Sequence, residues 1–320
     1  MNNKILITGA TGFVGSHLLQ MALQQDRDVI CPVRGTKSSA VTIPTMVGNI
    51  DRHTDWQLLL DNVHTVIHCA ARVHVMNDTE ADPLSAFREV NVYGTLRLAE
   101  QAAASGASQF IYLSSIKVNG EMTAPGQTFT EDDAPQASDP YGMSKQEAEA
   151  ALLALGQRTG MAITIIRPPL VYGKGVGANF LSLLLWVKKR IPLPLGSIHN
   201  KRSFIFVKNL TDFILLCVQN PRAYNQVFLV SDGEDLSTSE LLREAAKALE
   251  VPSRLLPFPA KLISLGAYML GKKNIADRLC QSLRVDSKKA RENMQWSPPY
   301  SVQQGLRESA ASLLSTTQKQ

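Results

Sequence analysis

The stretch that most constrains this chain is its beginning, residues 4–15, where Lys4 Ile5 Leu6 Ile7 Thr8 runs into Gly9 Ala10 Thr11 Gly12 Phe13 Val14 Gly15. A short apolar and β-branched run bounded by glycine reads as a buried strand, and the apolar spacing of residues 13–23 reads as a helix. The three glycines at the junction have separate tasks. Gly9 lets the chain reverse, Gly12 lets the backbone approach a pyrophosphate, and Gly15 lets the helix pack close to the strand. The first N–H groups of such a helix have no partner within it and favour an anion. The turn therefore predicts a dinucleotide site drawn from Gly9, Thr11, Gly12, Phe13, Val14 and Gly15.

Alternation of strand and helix continues from there. Strands are expected at 28–33, 45–50, 63–71, 110–115 and 163–166, with helices at 84–105 and 141–157. This order predicts an α/β fold, a doubly wound parallel sheet of Rossmann type over residues 1–173. Beyond Gly173 the pattern loosens into a smaller region, 174–320, expected to bind substrate and to be interleaved with the first. It holds helices at 179–190, 209–219, 262–270 and 301–314, and strands at 204–207 and 227–230, the last returning to the main sheet. Ser237 and Glu240 read as a capping box opening a further helix that runs to about Leu249.

Composition excludes several classes. At 320 residues and 44% hydrophobic the chain can bury a large core, and no apolar run approaches the ~20 residues a membrane span needs. A net charge of +5 suits anionic ligands, yet no basic run with interleaved aromatics points to nucleic acid. Cys31, Cys69, Cys217 and Cys280 are far apart and lack metal-ligand spacing, so no metal site is expected. Reduced thiols, and a first strand that leaves no room for a signal peptide, predict a cytoplasmic protein.

Arg34 closes the second strand where an acidic residue would bind the ribose 2′-hydroxyl of NAD. An arginine there, with Lys37 and Ser38 beyond, favours the 2′-phosphate of NADP(H), with NAD as the alternative. Asn49 and Asp51 fall where an adenine could be contacted, Ile50 between them is expected at the cofactor too, and the small Ala70 and Ala71 let a cofactor lie against the backbone. His68, inside a buried strand, reads as a hydrogen-bonded core residue rather than an acid or base. Tyr141 and Lys145, four apart, share one face of a helix, so the ammonium could lower the phenol's pKa and ready it for proton exchange. The same spacing recurs at Tyr268 and Lys272, in an apolar helix where packing is the expectation.

Taken in order, the glycine turn, His68 to Ala71, Asn91 to Thr95, Ser114 Ser115, Tyr141 to Lys145 and Arg167 to Gly173 resemble the extended short-chain dehydrogenase/reductase family, in its nucleotide-sugar epimerase/dehydratase branch. The resemblance implies that Tyr141 exchanges the proton, Lys145 tunes it and binds the nicotinamide ribose, and Ser115 hydrogen-bonds the reacting oxygen. It makes Asn91 a structural asparagine and places Pro168 by the cofactor. It implies substrate contacts at Ser115, Lys117, Asn179 and Phe180, a diphosphate held by Arg202, and a homodimer through helices 84–105 and 141–157.

Three departures bear on specificity: Asn49 for the usual aspartate, Lys117 and Asn119 in the active-site wall, and Val33 Arg34 at the second strand's end. The expected activity is reduction of a UDP-4-keto-6-deoxy-hexosamine at C4 for surface polysaccharide synthesis. A UDP-sugar 4-epimerase holding NAD is the alternative. Helix 179–190, ending in Lys188 Lys189 Arg190, is expected to cover a substrate cleft; peripheral membrane contact, as for a lipid-linked sugar, is the lesser reading.

Overall fold

The computed structural model describes residues 4–33, 44–46, 48–73, 82–271 and 273–317, so Arg34, Lys37, Ser38 and Lys272 lie outside the described residues. The first half runs β1 (Lys4–Thr8), α1 (Phe13–Gln24), β2 (Val29–Val33), β3 (Pro44–Met46), β4 (Val63–His68), α2 (Pro83–Arg88), α3 (Thr95–Ala104), β5 (Gln109–Leu113), α4 (Pro140–Thr159) and β6 (Ala162–Arg167). After it come β7 (Leu170–Tyr172), α5 (Ala178–Lys188), β8 (Phe204–Phe206), α6 (Val207–Cys217), β9 (Gln226–Leu229) and α7 (Thr238–Ala248). The chain ends with α8 (Ala260–Met269), α9 (Lys273–Cys280), α10 (Lys288–Met294) and α11 (Val302–Thr317).

Seven strands form one parallel sheet in the order β3-β2-β1-β4-β5-β6-β9. Side chains alternate across it with the strand period of two. Ile5 and Ile7 meet Leu18, Phe213 and Met294 of α1, α6 and α10. Leu6, Val66 and Phe110 meet Leu98 and Leu152 of α3 and α4 on the other face. Such burial on both faces is why the strands read as continuous apolar runs. From β1 the chain travels outward through β2 and β3, then crosses back to β4. The switch between β1 and β4 opens the crevice where such sheets bind ligands, outside the carboxyl ends of the strands.

Several elements differ from expectation. The third strand spans three residues rather than 45–50, and the fourth stops at His68, leaving Ala70 and Ala71 in the loop at the switch. The long helix at 84–105 is interrupted by a π-helical stretch, Glu89–Gly94, which holds Asn91. The strand β7 and the short helices α9 and α10 were not legible. β7 pairs with β8 in a separate two-stranded parallel sheet whose side chains, with α5, α7 and α11, build a second core around Tyr172, Phe206 and Leu306. β9 returns to β6 from the far half of the chain. Tyr268, expected to pack, is 68% exposed, because among the described residues no other element covers that face of α8.

His68 is fully buried between two hydroxyls, its Nδ1 2.7 Å from Thr8 Oγ1 and its Nε2 3.0 Å from Thr95 Oγ1. Burial, with the Lys145 charge nearby, pushes it down to about 3 from 6.5. Below pH 6.5 the unfolded chain binds a proton that the folded chain refuses until about pH 3, so stability falls with pH through that window. In urea unfolding the wild type should lose up to about 1.4 kcal/mol per pH unit more than a His68→Gln variant between pH 6 and pH 4. Parallel pH profiles for the two proteins would dismiss His68 as the source.

Candidate active site

Gly9 adopts φ +73°, and a Cβ there would lie 2.7 Å from the Ala70 amide nitrogen. Only a glycine lets the turn after β1 meet the turn after β4 so closely. A Cβ on Gly15 would stand 2.1 Å from the Gly9 carbonyl oxygen, so α1 starts against the turn as the third glycine requires. The Gly12 N–H donates to the Gly9 carbonyl at 2.8 Å, and no side chain caps the start of α1. No acid stands in that first turn. Uncapped donors at the mouth of a helix, flanked by the exposed Thr11 and half-buried Phe13 and Val14, fit a pyrophosphate. The cradle thus suits a dinucleotide.

The other expected cofactor contacts are placed by their own hydrogen bonds and packing. Ala70 is half-buried and its N–H donates to Thr8 Oγ1 at 3.3 Å. Asn91 is buried and closes the loop after β4: its Oδ1 accepts from the Arg72 N–H at 2.8 Å, and its Nδ2 donates to the Arg72 carbonyl and to Ser144 Oγ on α4. That is the structural role the resemblance implies. Asn49 is exposed, whereas Ile50 packs on the core, where its Cγ2 would meet a Cβ on Gly94 at 2.8 Å. The Pro168 carbonyl accepts from the Ile116 N–H at 3.0 Å, fixing the loop after β6 to the segment that carries Ser115.

Tyr141, Lys145 and Ser115 converge. Asp139 caps α4, its Oδ1 accepting from the Gly142 N–H at 2.6 Å, and so sets where Tyr141 emerges. Phe87 meets the Tyr141 ring edge-on at 6.1 Å. Ser115 pulls the pKa of the Tyr141 hydroxyl down, and its own hydroxyl accepts from the Lys117 N–H at 3.2 Å. The Lys145 ammonium donates to the Leu113 carbonyl at 2.8 Å and sits 4.4 Å over the Tyr112 ring, 5.9 Å from that of Tyr141.

Burial dominates the electrostatics of this cluster. Burial pushes the Tyr141 phenol up to about 12, against a downward pull from Ser115, while burial pushes Lys145 down to about 8. Burial therefore sets the direction of the phenol's shift, with the Lys145 ammonium 5.9 Å from its ring. At neutral pH the phenol is a proton donor and the lysine still carries its charge.

Toward the second half, Arg202 is held by backbone bonds to Leu236 and by Nη1 donating to the Gln281 carbonyl at 2.9 Å. Burial and the neighbouring Arg278 push it down to about 10, while Glu121 pulls it up. Glu121 in turn pairs with Lys117 at 3.2 Å, and Lys117 also pairs with Asp139. One charged cluster therefore connects the cap of α4 to the two guanidiniums. Phe180 is buried against Tyr172, 5.6 Å between rings, so its ring packs the second core. The side chain of Asn179 lies outside the described residues. Asn119, expected in the active-site wall, is fully buried, donating to the Thr130 carbonyl and accepting from Arg167 at 3.0 Å.

Two features escaped sequence reasoning. Arg278 is one. The other is a buried pair, Glu149 of α4 and Arg167 of β6, with 2.5 Å between Oε2 and Nη2 and with Ser114 Oγ also donating to the carboxylate. The signal available was spacing alone: Glu149 stands one turn beyond Lys145, as Lys145 does beyond Tyr141.

The chain is 48% identical over 316 residues to a Vibrio cholerae protein named UDP-glucose 4-epimerase, covering 98% of this chain and 96% of that one. The solved UDP-glucuronic acid 4-epimerase of Bacillus cereus, in complex with NAD, shares the fold with TM-score 0.78 at 21% identity, over 98% of this chain and 99% of that one. The Pseudomonas aeruginosa protein RMD, complexed with NADPH, does so with TM-score 0.75 at 23% identity and the same coverage. A model described as the NAD dependent epimerase/dehydratase family matches residues 5–230, and with the glycine turn and the Ser115, Tyr141 and Lys145 cluster inside that span, the chain belongs to this family.

Proposed function

We propose that this chain is a UDP-sugar 4-epimerase that retains NAD. The observation that carries the reading is the 48% identity, end to end, to a protein named for that activity. The fold does not choose, since an epimerase with NAD and a protein with NADPH both match it. When bound, the nicotinamide supplies the acceptor and donor of a hydride at sugar C4. Tyr141 exchanges a proton with the C4 oxygen, and Ser115, whose hydroxyl lowers the phenol's pKa, hydrogen-bonds that oxygen. Lys145, anchored on the Leu113 carbonyl, keeps a positive charge behind the phenol. Arg202 offers a forked donor suited to the substrate's diphosphate.

Purified protein given UDP-glucose without added cofactor should form UDP-galactose, and denaturing it should release NAD. Arg34 keeps a second reading in view, the NADPH-dependent reduction of a 4-keto sugar. Stoichiometric loss of NADPH with UDP-4-keto-6-deoxy-GlcNAc, and no conversion of UDP-glucose, would replace the epimerase with that reductase.

A further inference from the structure

The lesser reading of α5 was a membrane face, but its apolar side is taken: Phe180, Leu184 and Val187 are buried against the second half's own cores. α8 is the reverse case. None of its ten residues is buried, although Ala260 and Ile263 lean on the core. Its outer side presents Leu262, Leu265, Tyr268 and Met269, the last 79% exposed, and Leu270 follows at 75%. Leu256 and Phe258 extend the patch along the segment leading into the helix. Contiguous apolar surface of this kind marks an interaction site.

Charge identifies the occupant. Residues 251–280 carry Arg254, Lys261, Lys272, Lys273 and Arg278 against one acid, Asp277, and the end of α5 adds Lys188, Lys189 and Arg190. The two stretches adjoin: Leu193 bonds the Arg254 carbonyl at 3.0 Å, Leu256 bonds that of Leu193 at 2.8 Å, and Arg190 and Arg254 line one small cleft. Their basic surplus exceeds the +5 of the whole chain. A second copy is a poor partner, because a two-fold contact would set this patch against itself and oppose like charges. An apolar helix rimmed by lysine and arginine suits an anionic lipid surface instead. No helix among the described residues is long and apolar enough to cross a membrane, so contact would be peripheral.

We propose that α8, the segment leading into it and the basic end of α5 form a face that docks on an anionic bilayer. The apolar side chains of α8 enter the headgroup region, and the basic residues meet lipid phosphates. α9, packed on α8, carries Arg278 beside Arg202, so docking brings the membrane surface within one helix of that pair.

The full chain should co-sediment with phosphatidylcholine vesicles containing phosphatidylglycerol, much less with phosphatidylcholine alone, and should be released by salt. A Leu265→Glu, Met269→Glu variant should bind at least tenfold more weakly while keeping the wild-type melting profile and turnover of UDP-glucose. The readout is sedimentation, so it stands apart from whether UDP-glucose is the substrate. No binding to anionic vesicles, binding unchanged by the two substitutions, or a dimer in solution that they dissociate would each overturn the proposal.

Discussion

Replacing Tyr141 with phenylalanine should lower turnover by roughly 10²- to 10⁴-fold, the range a positioned proton donor contributes. The loss should appear in kcat with the bound dinucleotide retained, because the ring keeps its packing on Phe87 and only the hydroxyl is removed. Gly9, Gly12 and Gly15, which shape the turn proposed to cradle the cofactor, are untouched. Ser115 keeps the bond from the Lys117 N–H, so the loop after β5 should hold its place. Turnover and released cofactor, measured on the same preparation, separate the outcomes. Turnover near the wild-type level would remove Tyr141 from the chemistry. Loss of cofactor along with activity would make it a structural residue.

What was legible in the sequence was local. The glycine turn, the Ser237 and Glu240 capping box and the four-residue spacing of Tyr141 and Lys145 depend on neighbours within one or two turns of chain, and each is present. His68 was legible as a core residue because its strand is apolar, although its partners Thr8 and Thr95 come from distant segments. Direction of charge perturbation was not legible. Spacing puts Lys145 near Tyr141, but desolvation sets the phenol's acidity, and burial is decided by β5 and the loops around it. Tyr268 shows the same gap from the other side. Periodicity tells that α8 has an apolar face, and nothing in the helix tells whether another element covers it. The reading that favoured NADP rests on Arg34, outside the described residues, and the fold is shared by one solved protein holding NAD and another holding NADPH.

Glu149 and Arg167 are 18 residues apart on a helix and a strand, and neither alone announces the pair. Its side chains are about 5% exposed, so removing one partner leaves a charge in a low-dielectric setting. Glu149→Gln should therefore cost about 3–5 kcal/mol of folding stability, read from urea unfolding midpoints. Arg167→Met should cost a similar amount, since it also strips the Asn119 amide oxygen and the Glu149 carboxylate of their donor. The Glu149→Gln, Arg167→Met double variant should cost clearly less than the two single changes together, because no unpaired charge remains. An additive cycle would mean that the two groups do not interact.

Position makes the pair matter to catalysis as well. Glu149 follows Tyr141 and Lys145 along one face of α4, and it accepts from Ser114, the neighbour of Ser115. The pair thereby fixes the helix bearing the phenol and lysine to the strand ends bearing the serine. Even at a temperature where the single variants remain folded, turnover should fall along with stability. Full activity in folded Glu149→Gln would show that the capped start of α4, held by Asp139, positions Tyr141 without this anchor.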